Sequence, residues 1–537
     1  MDLNALIMVT FVTFSSVFTK DRQDEIPKMQ SRPSPTIATL EVTEPGVAKL
    51  LSKIVTTKAS GPVEIPNLLL KELSQEIAPI LTFIFNQTLQ QGCVPQDWKE
   101  ANIAPIYKKD DKHLASNYRP ISLTCVCSKL MEHIVVHHLM DHLDRHNILT
   151  DLQHGFRRKR SCVTQLLTTT SDLAKHHNNN TQVDINILDF SKAFDVVSHR
   201  KLLAKLTHYG VCGPIHSWIQ SFLTDRTQKV VIEGTSSGTA KVLSGVPQGT
   251  CLGPILFLCY INDIADGIQS QLRLFADDAL LYRPIKSLDD HLILQRDLKH
   301  LEAWADKWDM KFNAKKCYVI SAKRSGTKSQ FRYDLCQHVL KEVATNPYLG
   351  VLLSNDGSFT AHIDSTCAKV SRTLGFLSRN LKACPEKLKT LAFNSMCRSS
   401  LEYAAQIWDP QQITVKEKLD KIQRRGARFV TRNYSRSIRG EQIVKDLKWE
   451  DLSTRRKHSR LILFYQIINN QVAIPFVESQ FIVPGSRGRF HTLSYNHTGY
   501  EHSYYPQTIR DWNSLPDKTR NSPSLETFKS RLGEPCR

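Results

Sequence analysis

The chain has 537 residues, enough for several domains, because single hydrophobic cores seldom outgrow roughly 250 to 300 residues. Its 41% hydrophobic and 23% charged residues are ordinary for a globular protein and exclude wholesale disorder. Lys and Arg number 71 against 52 Asp and Glu, and the resulting +19 points to polyanionic partners, nucleic acid first and an anionic membrane second.

The thirteen cysteines are scattered and include no C-x-x-C pair, so neither a disulfide framework, a disulfide-linked partner nor a zinc ribbon is expected. Residues 3–18, LNALIMVTFVTFSSVF, superficially resemble a signal peptide. Acidic Asp2 precedes the run, and no small-residue cleavage site follows, so it reads as part of a soluble domain. Glu25–Ile37 is rich in Pro and Ser and reads as a linker. Helical spacing predicts helices near 48–55 and over 68–89, the second carrying Leu73, Ile77, Ile80, Leu81 and Ile84. ANIAPIYKK (101–109) and VDINILDF (183–190) read as strands, and KVVIEG with GTAKVL flanks a hairpin turn. The class is α+β over roughly residues 60–355, followed by a helical, basic second half. No apolar run reaches the ~20 residues of a membrane span.

Within 183–190, Val183, Ile185, Ile187 and Asp189 share one strand face, so a buried face ends in a carboxylate. Asp at a strand-to-helix junction also suits a helix N-cap, and both readings stand at this point. The stretch from Ser198 has its own N-cap, an apolar side of Leu202, Leu203 and Leu206, and a closing Gly210. In LFADDALLY (274–282), Asp277 and Asp278 interrupt two apolar runs where a hairpin turn belongs. Two-residue turns favour glycine because they need positive φ, and adjacent like charges repel, so the pair breaks local rules as functional sites do. Ionised carboxylates are hard oxygen ligands, and three of them suit the two-cation arrangement used for in-line displacement at phosphorus.

Five collinear blocks carry a wider resemblance: NYRPISL (117–123), QHGFR (153–157), DFSKAFD (189–195), SGVPQGTCLGPILF (244–257) and FADD (275–278). With WADKWDMKFNAKK and YLGVLLSNDGSF after them, the chain resembles the reverse transcriptases of non-LTR retrotransposons, most closely jockey-like elements. FSSVFT, GPVEIPNLLLKEL and VPQDWKEANIAPIYKK resemble the lead-in of such proteins, and IRDWNSLP (509–516) their C-terminal segment.

The resemblance implies a right-hand polymerase with fingers, a ferredoxin-like palm and a mostly helical thumb. Residues 1–60 would be leader and linker, 61–355 the reverse transcriptase domain, and 356–537 the basic thumb and C-terminal region. It implies RNA-directed DNA synthesis, with an RNA template, a DNA primer and deoxynucleoside triphosphates as partners. Asp189 and Asp277 would be the main ligands of two Mg²⁺, or Mn²⁺ in substitution, with Asp278 beside them and the Phe190 carbonyl as a further oxygen. Phe194 matches the family's steric gate against a ribose 2'-hydroxyl, and it also suits a core aromatic. Arg119 sits where the fingers meet the triphosphate, although a surface salt bridge would equally use it. Gln248 and Gly249 match the loop against the incoming nucleotide. Lys316 could protonate the leaving pyrophosphate, but with Lys315 beside it an ordinary solvated lysine is the favoured reading.

Independently of the family, KLDKIQRRGARFVTR (418–432) places Lys421, Arg424, Arg425, Arg428 and Arg432, with Lys418, on one helix side, and Asp420 is its single acid. Contact with a nucleic-acid backbone is expected, a solvated surface helix being the alternative. The histidines of HIVVHHLMDHLDRH (133–146) lack the H-E-x-x-H glutamate and predict a surface helix. Val63 stands where the family commonly has Asp. Too little chain precedes residue 40 for the endonuclease that usually accompanies this polymerase, so a chain without one is expected. An inactive nucleic-acid-binding copy and an RNA-folding maturase are the rival readings, the first opposed by the intact acids and the second by IRDWNSLP. An intracellular protein is expected, in cytoplasmic ribonucleoprotein and in the nucleus.

Overall fold

The computed structural model describes residues 3–19, 24–29, 33–108, 110–474, 489–491 and 494–533. Part of the expected linker (30–32), Lys109 of the first strand segment and residues 475–488 of the second half lie outside the described residues.

The strands form two principal sheets that exchange chain segments. β1 (Glu100–Tyr107) and β2 (Tyr118–Leu123) pair antiparallel, with Ile103 opposite Ser122. β3 (Gln182–Leu188) starts the second sheet, and β4 (Thr227–Ile232) returns to the first, parallel to β1. The short β5 (Thr235–Ser236) and β6 (Ala240–Lys241) fold back on β4, which gives the hairpin expected around the Gly/Ser turn. β7 (Gln271–Phe275) and β8 (Asp278–Ile285) form a tight hairpin whose second strand lies against β3, and β9 (Tyr318–Ala322) covers the other side of β3. The second sheet therefore runs β7, β8, β3, β9, closed by a two-residue strand at Lys341–Glu342.

This sheet separates two cores. Val183, Ile185, Leu280, Tyr282, Ile320 and Ala322 face one core, and Leu188, Ala279, Leu281 and Val319 face the other, as the period-two alternation of side chains requires. The first core is completed by helices Val126–Arg145 and Gly253–Ile261. The second continues through helix Thr360–Asn380 to Trp408, Phe464, Trp512 and Phe528. Both faces of β3 are thus covered, where the sequence pattern suggested one. Asp184 on the other face is 1% exposed and is satisfied by Tyr333, which donates at 2.8 Å, and by Gln182 Nε2 at 2.9 Å.

Beyond residue 360 the described residues are mostly helical, and those near the C-terminus are core, not appendage. Asp409 accepts from Arg456 Nε at 2.6 Å and from Arg460 Nε at 3.0 Å, and Arg460 reaches Asp511 at 2.9 Å. These guanidinium groups are nearly fully buried, so the carboxylates that neutralise them tie helix Leu452–Ile468 to helix Tyr504–Asn513, which holds most of IRDWNSLP. Among the described residues no helix is long and apolar enough to cross a membrane.

Two sequence expectations change, for the linker and for the histidine-rich segment. The Glu25–Ile37 linker is in part an anchored strap: Ser34 and Ile37 donate to the carbonyls of His208 and Gly210 at 2.9 and 2.8 Å. A Cβ on Gly210 would stand 1.9 Å from the Pro35 carbonyl oxygen, so this glycine serves close approach as well as helix termination. The histidine-rich segment is a core helix, burying Leu130, Met131, Val135, Leu139 and Leu143, with His142 Nε2 2.7 Å from the Tyr209 carbonyl. Its apolar positions outweigh its histidines, which mostly lie along the less buried side. Residues 3–15 form a helix whose Phe14 packs with Ala101, Ile103 and Val230 of the first sheet.

His362 is buried against Trp408, and its Nδ1 faces the Leu352 amide at 3.4 Å, so it must be neutral there. Burial pulls its pKa down to about 4. The lowered value means that its contribution is complete above the unfolded value near 6.5 and is lost as pH falls toward 4, at about 1.4 kcal/mol per pH unit. In thermal unfolding between pH 7 and 4.5, His362→Gln is expected to flatten the fall in stability; an unchanged slope would exclude the burial argument.

Candidate active site

Asp189 follows the last residue of β3, one position beyond the Leu188–Ala279 pair, which sets it across from Asp278. No helix begins at Asp189: the chain runs through turns to helix His199–His208, whose N-cap is Ser198, accepting from the Lys201 amide. The N-cap reading of Asp189 is therefore excluded. Its backbone is gripped from 313–317 instead: the Asn313 amide donates to the Asp189 carbonyl at 2.7 Å, and the Asp189 amide points at Cys317 Sγ at 3.4 Å. Phe190 bridges Phe312 and stacks on it with centroids 4.3 Å apart. The bridge uses the amides of Ser191 and Asn313, so it leaves the Phe190 carbonyl outside the pairing.

The hairpin turn consists of Ala276 and Asp277, since Phe275 pairs with Asp278. The positive φ that glycine usually supplies falls on Ala276, at +53°. Asp278 is thus the first residue of β8 and not a turn residue. Burial raises the Asp277 carboxyl above the ordinary carboxylate range, and the Asp189 charge adds to it. Asp278 is exposed at the head of β8, yet the protein around its carboxyl strips enough solvation to lift it to about 6, with Asp277 and Asp189 pushing the same way and Lys108 and Arg119 opposing. Three acids at the adjoining ends of the interior strands β3 and β8, with cations facing them, make an electrostatic site, and Lys108, given no role from the sequence, belongs to it.

The three acids fit a divalent cation by donor chemistry, because lost solvation and like-charge repulsion raise the Asp277 and Asp278 carboxyls, and a positive ion between hard oxygens offsets both. Among the described residues, no group of three or more His, Cys, Asp or Glu side chains is arranged as a ready-made metal site. Mg²⁺ commonly takes one or two carboxylates and fills its remaining positions from substrate phosphates and water, so an open set of acids suits it.

The remaining blocks converge beside the acids. Phe194 stacks on Phe257 at 4.2 Å between centroids, and Phe156 meets it edge-on at 6.4 Å, so three blocks share one aromatic cluster. The loop holding Gln248 and Gly249 is stitched to β2, where the Ser122 amide donates to the Gln248 carbonyl at 2.7 Å. Gly249 has φ +107°, and a Cβ there would stand 2.7 Å from the Ser122 carbonyl oxygen, so only glycine allows this approach. Gln248 Nε2 donates to Asp195 at 3.2 Å, and burial raises that carboxyl to about 6. Asp195, inside DFSKAFD, was given no role from sequence; its burial was invisible there. Arg119 is exposed on β2, and Lys316 is exposed in the 3₁₀ turn Ala314–Lys316 beside the Asp189 latch.

The basic helix, Ile413–Thr431, is less free than its sequence suggests. Arg424 pairs with Glu417 and Glu441, and Lys418 with Asp364, so acids from outside the 418–432 span enter. Arg428 donates to the carbonyls of Asn433, Ser435 and Ile438 at 3.1, 3.0 and 2.7 Å and staples the following loop. Lys421, Arg425 and Arg432 remain exposed.

The acids thus cluster where the two interior strands β3 and β8 end, faced by cations and backed by a stitched loop. Residues 106–353 match the family described as "Reverse transcriptase (RNA-dependent DNA polymerase)", and the chain carries that domain. It is similar to the probable RNA-directed DNA polymerase from transposon BS of Drosophila melanogaster, 26% identical over 81% of this chain and 50% of the relative. It is also similar to the RNA-directed DNA polymerase from mobile element jockey of the same species, at 28% over 76% of this chain and 46% of the relative. A Pol polyprotein from type-1 retrotransposable element R2 of Popillia japonica is 27% identical over 50% of this chain and 40% of its own. The chain spans about half the length of the curated relatives it matches.

The two kinds of arginine on the basic helix separate experimentally. Arg428→Ala is expected to lower the unfolding temperature, because three carbonyls lose charge-assisted donors worth about 1.5 to 3 kcal/mol each before solvent compensates. Reversing Lys421, Arg425 and Arg432 together is expected to leave the unfolding temperature within about 2 °C. Equal destabilisation by both would remove the distinction.

Proposed function

We propose that this chain is an RNA-directed DNA polymerase of a non-LTR retrotransposon, copying element RNA onto a DNA primer from deoxynucleoside triphosphates. The observation that carries the reading is the meeting of Asp189, Asp277 and Asp278 where β3 runs past the β7–β8 turn, with Arg119 and Lys108 facing them. Asp189 and Asp277 hold two divalent cations, Mg²⁺ or Mn²⁺, with Asp278 and the Phe190 carbonyl as supporting oxygens. When bound, these ions supply activation of the attacking 3'-hydroxyl and charge stabilisation at the α-phosphate and leaving pyrophosphate.

The chain's own residues do the rest. Arg119 offers a planar fork to triphosphate oxygens, and as an exposed group on β2 it meets the nucleotide from the fingers side. Gln248 and Gly249 back the incoming nucleotide, with Asp195 and Ser122 holding the loop in place. Phe194, wedged between Phe156 and Phe257, has little freedom to turn away from a ribose 2'-hydroxyl, so it favours deoxynucleotides. Lys316 serves as proton donor to pyrophosphate. Lys421, Arg425 and Arg432 contact the nucleic-acid backbone, and Arg424 and Arg428 shape the surface that carries them. Residues 61–355 act as fingers and palm and 356–537 as thumb and C-terminal region. The protein works in cytoplasmic ribonucleoprotein and in the nucleus.

Primer extension on an RNA template with Mg²⁺ and deoxynucleotides tests the reading. Asp277→Asn is expected to lower the rate by about a thousandfold, about 4 kcal/mol of barrier, while RNA binding persists. RNA binding without extension by the unsubstituted chain would replace the polymerase with a binding module. Phe194→Ala is expected to raise ribonucleotide incorporation relative to deoxynucleotide by about 10- to 200-fold, the range that one steric contact commands. An unchanged ratio would remove the gate assignment.

A further inference from the structure

Gln153, in QHGFR, has no role in the polymerase reading, yet its side chain is spent on one residue of the site. It is 3% exposed; Oε1 accepts from the Ala276 amide at 2.8 Å, and Nε2 donates to the Ala276 carbonyl at 3.2 Å. A single primary amide thus satisfies both backbone groups of the left-handed turn residue that precedes Asp277. It acts as a peptide group would in a neighbouring strand. Oε1 also accepts from the Gly155 amide at 2.7 Å, which fixes the amide's own orientation.

The segment that delivers Gln153 is itself in register with the hairpin. Leu274 donates to the Leu152 carbonyl at 3.0 Å, and His154 donates to the Leu274 carbonyl at 2.9 Å, a parallel bridge that adds Leu152–His154 to the edge of β7. A Cβ on Gly155 would lie 2.3 Å from the Ala276 nitrogen, so glycine is what allows the two backbones to approach this closely. An alanine at φ +53° bears a steric cost that glycine escapes, and Ala276 is 7% exposed, so water does not readily satisfy its polar groups. Without Gln153, both the strain and the unpaired groups favour a relaxed turn, and Asp277 moves with it.

We propose that Gln153 is a positioning residue that holds Ala276 in its left-handed conformation and thereby aims the Asp277 carboxylate toward Asp189. The proposal rests on the reading of Asp277 as a cation ligand.

The full chain carrying Gln153→Ala, Ala276→Gly or both tests it, through Mn²⁺ binding followed by electron paramagnetic resonance and through primer extension. Gln153→Ala is expected to weaken Mn²⁺ binding about tenfold and to lower kcat by about 10- to 100-fold, the range for losing an outer-shell partner, with KM for the deoxynucleotide little changed. Adding Ala276→Gly, which takes positive φ freely, is expected to recover most of the Mn²⁺ affinity and part of kcat. Should Gln153→Ala alone fail to fold, recovery of folding by the double variant supports the same link. Undiminished Mn²⁺ affinity in Gln153→Ala, or no recovery in the double variant, overturns it. If the unsubstituted chain binds Mn²⁺ but extends no primer, the polymerase reading falls while the Mn²⁺ comparison still decides the role of Gln153.

Discussion

The antiparallel pairing of β3 with β8 is the constraint on which the rest of the structure depends. Its register sets Leu188 opposite Ala279, so the next position along each strand brings Asp189 across from Asp278. The same register sends Val183, Ile185, Leu280 and Tyr282 to one core and Leu188, Ala279 and Leu281 to the other. A slip by one residue would reverse both faces and separate the acids together, because side-chain direction repeats every two residues. The apolar burial that stabilises the sheet therefore also sets the geometry of the site.

Around that sheet the chain supplies clamps, each formed by residues far apart in sequence. The 311–317 segment grips the backbone of Asp189 and Ser191, the Leu152–Gly155 segment grips the turn before Asp277, and the Gln248 loop is bonded to β2 and Asp195. Repelling carboxylates need such rigidity, since a loose site would let them move apart until the repulsion faded. Lost solvation and mutual repulsion raise the Asp277 and Asp278 carboxyls, the consequence of holding acids this close together. The helical half adds its own anchor through Asp409, Arg456, Arg460 and Asp511, so that the C-terminal segment shares a core with the sheet.

The basic helix shows how charge read along one segment overstates a surface. Within 418–432 only Asp420 opposes the cations, but Glu417, Asp364 and Glu441 reach them from the flanking turn and from other helices. Arg428 is consumed by the loop it staples. Three exposed cations remain, enough for a backbone contact and fewer than the helical wheel implied.

By itself the sequence determined the α+β class, the strand leading to Asp189, the rule-breaking Asp277–Asp278 pair and the collinear blocks that carry the resemblance. These are local properties: periodicity, turn chemistry and spacing act over a few residues and leave their mark in the chain. The tertiary structure alone decided that β3 is covered on both faces, that the histidine-rich segment is a core helix, and that Ala276 and not an aspartate takes the left-handed position. It alone joined Gln153 to Ala276, Asp195 to Gln248 and Arg428 to its loop. Those partners lie 123, 53 and up to 10 residues apart, and a hydrogen bond forms only where packing sets donor against acceptor. Nothing in the composition of either partner's segment announces such a meeting.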